Sequence, residues 1–351
     1  MVALSMVLAG CGDKAPQEQP AQESPAAMEP GDDPGSEPAT GAGGVKTGLG
    51  AVISIAKSAG ATADAAALAQ ADIVMAAVTL NADGTIANVQ IDATQTRINF
   101  DAQGQLTTDV SAAPQTKTEL GDAYGMKKAS GIGKEWYEQI AALEDWMVGK
   151  TIDEVMGMQM TDGVPADADL TSSVTIHVGD YLNAVKKAAD NAKDFGVSVT
   201  GATKTGLGTV VSIAKSTGAT ADAAGLAQTD NVMVAVTLDE TGKIAGIVID
   251  TAQVRINVDS SGAITTDTSA ALQTKNELGD AYGMKNASGI GKEWHEQATA
   301  LAQWMIGKTV DEVSGMALTE GTPADADLAS SVTMHVNDYI AALQKAAANA
   351  S

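Results

Sequence analysis

The sequence predicts an α+β protein built from two tandem copies of an antiparallel sheet covered by helices, and three observations support that fold class. The stretch that begins at Lys46 returns at Lys204 without insertion. In each copy, short β-branched stretches joined by turns come before helical patterns. Of the 351 residues, 44% are hydrophobic but only 3% are aromatic, which is typical of globular domains with small core side chains. A repeat this long indicates tandem whole domains rather than a solenoid.

The repeat and the composition divide the chain into five predicted segments. These are a signal segment 1–11, an acidic proline-rich tether 12–45, a first domain 46–193, a linker 194–203 and a second domain 204–351. Six of the nine prolines fall in the tether. Because such a stretch buries too little apolar surface to offset its ordering entropy, we expect it to be disordered, with a reach on the order of 30–35 Å.

The predicted strands of the first copy lie before its helices. Ala51–Ala56 and Ile73–Leu80 are apolar and rich in β-branched residues, and 86–91 and 97–100 follow as further strands. Turns at 81–84 and 101–104, each ending in glycine, join or follow them. Consecutive short turns predict an antiparallel sheet.

Three helices are predicted after the sheet. Residues 134–148 place Trp136, Ile140, Leu143 and Met147 on one face. Thr151 and Glu154, like Thr309 and Glu312, have the spacing of a capping box. The last helix, 180–193, turns Tyr181, Val185 and Ala188 inward, and we expect Asp180 and Asp338 to be the N-caps of the two last helices.

Charge and cysteine content exclude several functions. The formal net charge of −23 argues against nucleic acid as a partner and against electrostatic docking on an anionic membrane surface. With Cys11 as the single cysteine and only three histidines, the chain cannot form an internal disulfide, a CxxCH haem site or a cysteine-ligated iron–sulfur cluster, and a zinc site is not expected. No catalytic triad, P-loop or Rossmann fingerprint is present, so no catalytic residue is predicted.

The N-terminal segment points to export. Residues 1–10 are almost wholly apolar or small, and Leu8-Ala9-Gly10-Cys11 resembles the lipobox of bacterial lipoprotein precursors. The segment lacks a basic start and is short for a signal peptide, so the true start is expected to lie upstream. The alternative is a buried first strand with an incidental cysteine. The lipobox interpretation predicts lipidation at Cys11 and a location on the outer face of the cell membrane.

A glycine-rich run is nearly identical in the two copies. Residues 121–139 and 279–297 share 17 of 19 residues. One interpretation is a pocket for a flat ligand, with apolar walls and glycines that let the backbone approach it closely. The alternative is that the tryptophans are core residues of a helix. The residues of the predicted pocket are Tyr124, Met126, Gly131, Gly133 and Trp136, with Tyr282, Met284, Gly289, Gly291 and Trp294 in the second copy.

A threonine motif lies before the last helix of each copy. Asp169-Leu170-Thr171-Ser172-Ser173-Val174-Thr175 returns as Asp327-Leu328-Ala329-Ser330-Ser331-Val332-Thr333. Both runs resemble the D-x-x-[ST]-G-A-[ST] motif of FMN-binding domains in the flavin subunits of sodium-pumping NADH:quinone oxidoreductase and Rnf complexes, with Ser-Val in place of Gly-Ala. The lipobox, the acidic tether, GDAYGMK and SGIGKEW resemble the flavin lipoproteins of extracellular electron transfer in Gram-positive bacteria.

The resemblance implies two covalent FMN groups per chain. A flavin transferase would join them through phosphoesters to Thr175 and Thr333, beside Asp169, Ser172, Ser173, Asp327, Ser330 and Ser331. Strings around Thr62, Thr203 and Thr220 match the Gly-Ala letters better, but they lie in the predicted linker or near a domain start, whereas the family motif lies at the domain end. His177 and His335 are either phosphate donors or ordinary exposed residues, and Lys134 and Lys292 either compensate flavin charge or are solvated.

The resemblance also implies a function. We expect an electron carrier, rather than an enzyme with its own substrate, that relays electrons from a membrane NADH or quinone oxidoreductase to extracellular acceptors such as ferric iron. Two alternatives stay open. One is a ligand-binding or adhesive surface lipoprotein with a non-covalent cofactor or none, and the other is a lipid-anchored reductase with a defined acceptor.

Overall fold

The computed structural model describes residues 46–192 and 203–351. The predicted signal segment with Cys11, the tether 12–45 and nearly all of the predicted linker 194–203 lie outside the described residues. Both described ranges belong to one compact unit, Ala42–Ser351. We call residues 46–192 repeat 1 and residues 203–351 repeat 2.

The two repeats have nearly the same order of elements. Repeat 1 contains β1 (Lys46–Ser54), β2 (Ala67–Leu80), β3 (Ile86–Phe100), α1 (Lys117–Leu120), α2 (Trp136–Met147), α3 (Ile152–Met156), β4 (Met160–Thr161), β5 (Val164–Pro165) and α4 (Gly179–Asp190). Repeat 2 contains β6 (Lys204–Ser212), β7 (Gly225–Leu238), β8 (Ile244–Val258), α5 (Lys275–Leu278), α6 (Trp294–Met305), α7 (Val310–Ser314), β9 (Leu318–Thr319), β10 (Thr322–Pro323), α8 (Ala326–Ala329) and α9 (Asn337–Asn349). The fold is α+β, with antiparallel sheets and helices.

Each repeat forms a three-stranded antiparallel sheet with its strands in sequence order. The predicted turn at 81–84 joins β2 to β3, with Gly84 at a φ of 85°, a conformation that favours glycine. The strands are longer than the sequence predicted. The predicted strands 86–91 and 97–100 form a single strand, β3, which continues through the polar residues 92–96. No turn interrupts it there, and Asp92, Thr94 and Thr96 are buried.

The two faces of each sheet pack against different partners. On β2, Ile73 and Met75 belong to a core shared with Leu207 and Met233 of repeat 2, whereas Val78 on the opposite face packs among the helices of its own repeat. Since side chains alternate along a strand, one sheet buries both faces. The described protein is therefore layered as helices, sheet, sheet and helices.

Four threonines lie in the contact between the two sheets. Thr47, Thr79, Thr205 and Thr237 are all 0% exposed. The Thr79 hydroxyl lies 2.7 Å from that of Thr205 and 2.6 Å from that of Thr237, and the Thr47 hydroxyl donates to Thr237 over 3.0 Å. Each buried hydroxyl thereby satisfies its hydrogen bonding within the cluster.

Glycines allow the last helix of each repeat to lie directly on the first strand. A Cβ on Gly48 would come within 1.8 Å of the Ala188 carbonyl oxygen in α4, and one on Gly206 within 1.9 Å of the Ala346 carbonyl oxygen in α9. The repeated Lys-Thr-Gly-Leu-Gly run therefore has a packing function: it brings a strand and a helix into backbone contact.

The predicted helices are present, with one error at the last helix. The predicted faces of α2 and α4 are buried, and Thr151 and Thr309 form capping boxes. Asp180 and Asp338 are not N-caps, because α4 begins at Gly179 and α9 at Asn337, so that Val178 and Val336 occupy the N-cap positions. The Val178 N–H donates to the Gly163 carbonyl at 2.9 Å. Each aspartate lies in a first helical turn, where its negative charge interacts favourably with the helix dipole.

Candidate functional site

The loop that carries Thr175 lies between the β4–β5 hairpin and α4. Leu170 and Val174 anchor it in the core, at 2% and 0% exposure. The Leu170 carbonyl accepts from the N–H groups of Ser173 and Val174, both at 2.8 Å. Because the apolar anchors face inward, the polar residues of the motif face outward: Asp169 and Ser172 are exposed, and Ser173 and Thr175 are half-buried.

A buried glutamine holds the key threonine. The Gln139 Oε1 atom accepts from the backbone N–H of Thr175 at 2.8 Å and from its hydroxyl at 3.3 Å. In repeat 2, Gln297 Oε1 accepts from Thr333 in the same way, at 2.9 Å and 3.3 Å. Both glutamines are 0% exposed. The shorter bond fixes the threonine backbone, while the longer bond from the hydroxyl is weaker.

The same glutamine joins the threonine loop to the glycine-rich loop. Gln139 Nε2 donates to the Ser130 hydroxyl at 3.2 Å and to the Lys134 carbonyl at 3.4 Å. Gln297 Nε2 donates to Ser288 at 3.0 Å in repeat 2. The glycine-rich loop and the threonine loop, which the sequence singled out separately, are thus adjacent in both repeats.

The glycine-rich loop is fixed by a second buried side chain. Glu135 is 3% exposed, and its carboxylate accepts from the N–H groups of Met126 and Lys127 at 2.8 and 2.9 Å. Gly133 has a φ of 66°, and a Cβ at Gly131 or Gly133 would meet no atom of the described residues within 4 Å. The glycines therefore face open space, with Gly133 required for its backbone conformation.

The tryptophans occupy the core. Trp136 and Trp294 are each 2% exposed, and their indole N–H groups donate to the hydroxyls of Tyr181 at 2.8 Å and Tyr339 at 3.0 Å. Burial raises the pKa of Tyr339 to about 12, so this phenol stays protonated. Both indoles therefore lie in the core, which is the position that the alternative interpretation gives them.

The other predicted pocket residues are more accessible. Tyr124 and Met126, with Tyr282 and Met284 in repeat 2, are half-buried and pack against the helical core, and Gly289 and Gly291 are exposed. The Lys117 ammonium lies 4.8 Å from the centre of the Tyr124 ring, and Lys275 lies 4.7 Å from that of Tyr282, within the range of cation–π attraction. One face of each of these tyrosines is therefore already occupied by a cation.

Basic groups lie close to the motif. In repeat 2 the Lys292 ammonium donates to the Ser331 hydroxyl at 3.1 Å, and Lys134 occupies the matching position in repeat 1. Asp327 and Ser330 are exposed beside it. His177 and His335 are exposed and lie over glycines of the neighbouring hairpins, since a Cβ on Gly163 or Gly321 would lie 3.3 or 3.2 Å from the imidazole Nδ1.

The other threonine strings lie elsewhere. The Ala61 N–H donates to the Gly262 carbonyl at 2.8 Å, so the segment before Thr62 contacts repeat 2, and the Ala219 N–H before Thr220 makes the reciprocal bond to Gly104. The Thr203 carbonyl accepts from Asn88 at 3.1 Å. None of these contacts involves the glycine-rich loop.

Sequence reasoning missed Gln139 and Gln297. A signal was present: each is a polar residue on the apolar face of a helix, one turn after a buried tryptophan. A buried amide on such a face needs hydrogen-bond partners. It could have been read as a link to another loop.

Within residues 46–192 and 203–351, no cluster of three or more His, Cys, Asp or Glu side chains is arranged to bind a metal ion. No helix in those ranges combines the length and apolar character needed to cross a membrane.

Comparisons with known proteins give one short match. No family model matches the chain, and no solved structure matches it. A stretch of 41 residues is 54% identical to part of a chlorophenol reductase of Desulfitobacterium hafniense, covering 12% of this chain and 12% of that protein. The chain thus spans about an eighth of the relative it matches, and the similarity is local.

Proposed function

We propose that this protein is an exported, lipid-anchored electron-transfer flavoprotein with FMN esterified to Thr175 and Thr333. One observation carries the proposal: in both repeats a buried glutamine holds this threonine beside the glycine-rich loop, and the threonine itself is not buried, since Thr175 is half-buried and Thr333 is exposed. A modifying enzyme needs an accessible hydroxyl on a fixed backbone. The motif resemblance supplies the identity of the group.

The residues around the threonine suit a phosphate ester. A phosphate needs nearby hydrogen-bond donors and a compensating cation, and the hydroxyls of Ser172 and Ser173 and the ammonium of Lys134 belong to the two loops that meet here. In repeat 2 the contact between Lys292 and Ser331 already brings the cation to the motif. Esterification would replace the long hydroxyl bond to the glutamine and keep the shorter N–H bond.

The isoalloxazine would rest against the outer part of the predicted pocket. Tyr124 and Met126 present partly exposed apolar surface, whereas Trp136 supports them from the core. When bound, FMN accepts electrons in pairs and releases them singly. The chain itself would hold the phosphate and limit the movement of the ring, which suits an electron carrier better than an enzyme with its own substrate.

The proposed location explains the covalent bond. A lipid at Cys11 and a tether of 34 residues would place the two repeats outside the cell, where a dissociating FMN would be lost. The proposed partners are a flavin transferase, a membrane NADH or quinone oxidoreductase as donor, and extracellular acceptors such as ferric iron. The short similarity to a protein named chlorophenol reductase is compatible with redox chemistry.

The test is flavin content after denaturation. The chain is co-expressed with a flavin transferase, unfolded, and examined for FMN fluorescence on the polypeptide and for mass. We expect two FMN per chain, one in Thr175→Val or Thr333→Val, and none in the double variant.

Thr171→Val is the matched control, because Thr171 lies in the same loop, is exposed, and donates its hydroxyl to the Ala168 carbonyl rather than to Gln139. It should keep two FMN. A wild-type chain with no covalent flavin would favour the binding or adhesive lipoprotein, and flavin retained in the double variant would place the attachment elsewhere, for instance at Thr203 or Thr220.

A further inference from the structure

Two related cavities lie where the repeats meet. The repeat-2 cleft, about 240 Å³, is lined by Leu49 and Asn191 of repeat 1 and by residues of repeat 2 that include Ile249, His295 and Ala302. The repeat-1 cleft, about 260 Å³, is its counterpart, lined by Leu207, Asn349, Ile91, Tyr137 and Glu144 among others. Neither cleft includes a residue of the threonine motif.

A backbone donor on the free edge of the sheet is used differently in the two clefts. In repeat 1, the Ile91 N–H donates to Glu144 Oε1 at 2.5 Å. The residue that corresponds to Glu144 in repeat 2 is Ala302, which has no acceptor. Within the described part of the chain, no side chain accepts a hydrogen bond from the Ile249 N–H.

The direction of that N–H follows from its own carbonyl. The Ile249 carbonyl accepts from Asn276 Nδ2 at 2.8 Å, so it points away from β7. Because the N–H and C=O of one strand residue point to the same side, the Ile249 N–H also points out of the edge strand. The repeat-2 cleft therefore offers a donor at the place where repeat 1 supplies its own carboxyl oxygen.

The walls of the repeat-2 cleft are smaller and more apolar. Helix α6 presents Ala298 and Ala302, one turn apart, where α2 presents Ile140 and Glu144. Leu49 and Ile247 add further apolar surface. The volume lies below the roughly 300–1,000 Å³ of pockets for drug-sized ligands, so it suits a compound of one or two rings.

Charges around this cleft disfavour an anion. Asp250 follows Ile249 and is 4% exposed, and its carboxylate accepts from the Asn276 N–H at 3.0 Å. Burial raises its pKa to about 6, so it is ionised at neutral pH. Glu277 on the cleft wall is paired with Lys187 at 2.7 Å, which leaves neither as a free counter-ion for a charged ligand.

We propose that the repeat-2 cleft binds a small, neutral ring compound whose carbonyl oxygen accepts from the Ile249 N–H. The apolar body packs on Ala298, Ala302 and Leu49. His295 also lines the cleft. The site is independent of FMN, so it can be tested on the chain without flavin.

The test uses a neutral bicyclic ketone and two analogues. Binding of α-tetralone is measured by ligand-observed NMR and calorimetry, beside tetralin, which lacks the carbonyl, and naphthoate, which is anionic. We expect one α-tetralone site per chain, with tetralin about threefold to tenfold weaker because it lacks one hydrogen bond, and no measurable naphthoate binding.

Ala302→Glu places the carboxyl of the repeat-1 arrangement into the repeat-2 cleft. It should weaken α-tetralone binding by about tenfold or more, since the introduced oxygen takes the Ile249 N–H and the side chain occupies the wall. Glu144→Ala is the matched control in the other cleft, and it should leave the affinity of the repeat-2 site unchanged. Thermal melts establish that both variants fold.

Each of four results would overturn the proposal. Three of them are no saturable α-tetralone binding to the wild-type chain, equal binding by Ala302→Glu, and equal affinity for tetralin. The fourth is a loss of binding in Glu144→Ala alone, which would show that the ligand occupies the repeat-1 cleft.

Discussion

The two repeats hold the key threonine in the same way and differ at the clefts. Thr175 and Thr333 are held by equivalent glutamines with bond lengths that match within 0.1 Å. By contrast, Glu144 in the repeat-1 cleft corresponds to Ala302, and Tyr137 corresponds to His295. The glutamine that holds the threonine is therefore the same in both copies. The clefts, where the two halves meet, have diverged.

The largest effect is expected where both repeats need backbone contact. Gly48→Ala or Gly206→Ala would put a Cβ within 2 Å of a helix carbonyl oxygen, which forces α4 or α9 away from its strand. We expect each to lower the free energy of unfolding by about 3 kcal/mol or more, the upper end for overpacked cores. Urea unfolding measures it.

Gly84→Ala is the control for the loss of a glycine, because a Cβ there would meet nothing within 4 Å, although its φ of 85° still adds strain. If Gly48→Ala were as stable as Gly84→Ala, the close helix–strand contact would be wrong. A large effect in only one repeat would break the equivalence of the two packing units.

The second prediction concerns the cleft that differs. Desolvation, together with the nearby Asp92 and Asp145, raises the pKa of Glu144 from 4.5 to about 8 in the folded chain, although the hydrogen bond from the Ile91 N–H lowers it. The folded chain then keeps a proton that the unfolded chain releases between these values. Stability should therefore fall as the pH rises through that window.

Glu144→Gln removes this titration. Relative to the wild-type chain, we expect it to be more stable by about 2 kcal/mol near pH 9, less than the roughly 5 kcal/mol of the full pKa shift because Glu144 lines a cleft that solvent reaches. Near pH 4, where Glu144 is mostly protonated in both states, the two chains should differ little. Urea midpoints across the pH range measure it, with Asp145→Asn as the control for removing a nearby exposed charge. A parallel pH profile for Glu144→Gln and the wild type would contradict the buried carboxyl.

The third prediction concerns the threonine cluster that both repeats share. Thr79→Val keeps the shape but removes the hydroxyl that contacts Thr205 and Thr237. We expect a loss of about 1–2 kcal/mol, because Thr205 is left buried without a partner. Thr47→Val, which removes only one terminal donor, should cost less, and equal losses would argue against a connected cluster.

Much of the repeat fold could be predicted from local pattern. The turn at 81–84, the apolar face of α2 and the capping boxes at Thr151 and Thr309 depend on residues close in sequence, and all are present. The polar middle of β3 could not be predicted, since Asp92 and Thr94 are buried only through contacts with distant segments.

The candidate site was predicted in part for the same reason. The threonine motif and the glycine-rich loop are visible as repeated strings, but their contact depends on Gln139, whose partners lie 9 and 36 residues away. Nor does the sequence alone show that Trp136 is buried whereas Tyr124 is partly exposed. Which aromatic residue is accessible depends on α4, whose Tyr181 lies over the indole.

The smallest effect is expected at the reciprocal ion pairs between the repeats. Lys187 pairs with Glu277 at 2.7 Å, and Lys345 pairs with Glu119 at 2.6 Å. Each lysine also donates to a strand carbonyl, of Ala51 or Thr209, at 3.0 Å. These lysine side chains are about 40% exposed, so Lys187→Met and Lys345→Met should each cost no more than about 0.2–1 kcal/mol.

Lys187→Met and Lys345→Met test whether the two ion pairs contribute equally to stability. Both pairs should weaken similarly as salt is raised, because partly exposed charges are screened, and melts at low and high ionic strength would show this. The Lys187 pair borders the repeat-2 cleft, whose wall includes Glu277. If Lys187→Met costs clearly more than Lys345→Met, the unpaired Glu277 is being desolvated in that cleft, and the clefts differ in electrostatics as well as in shape.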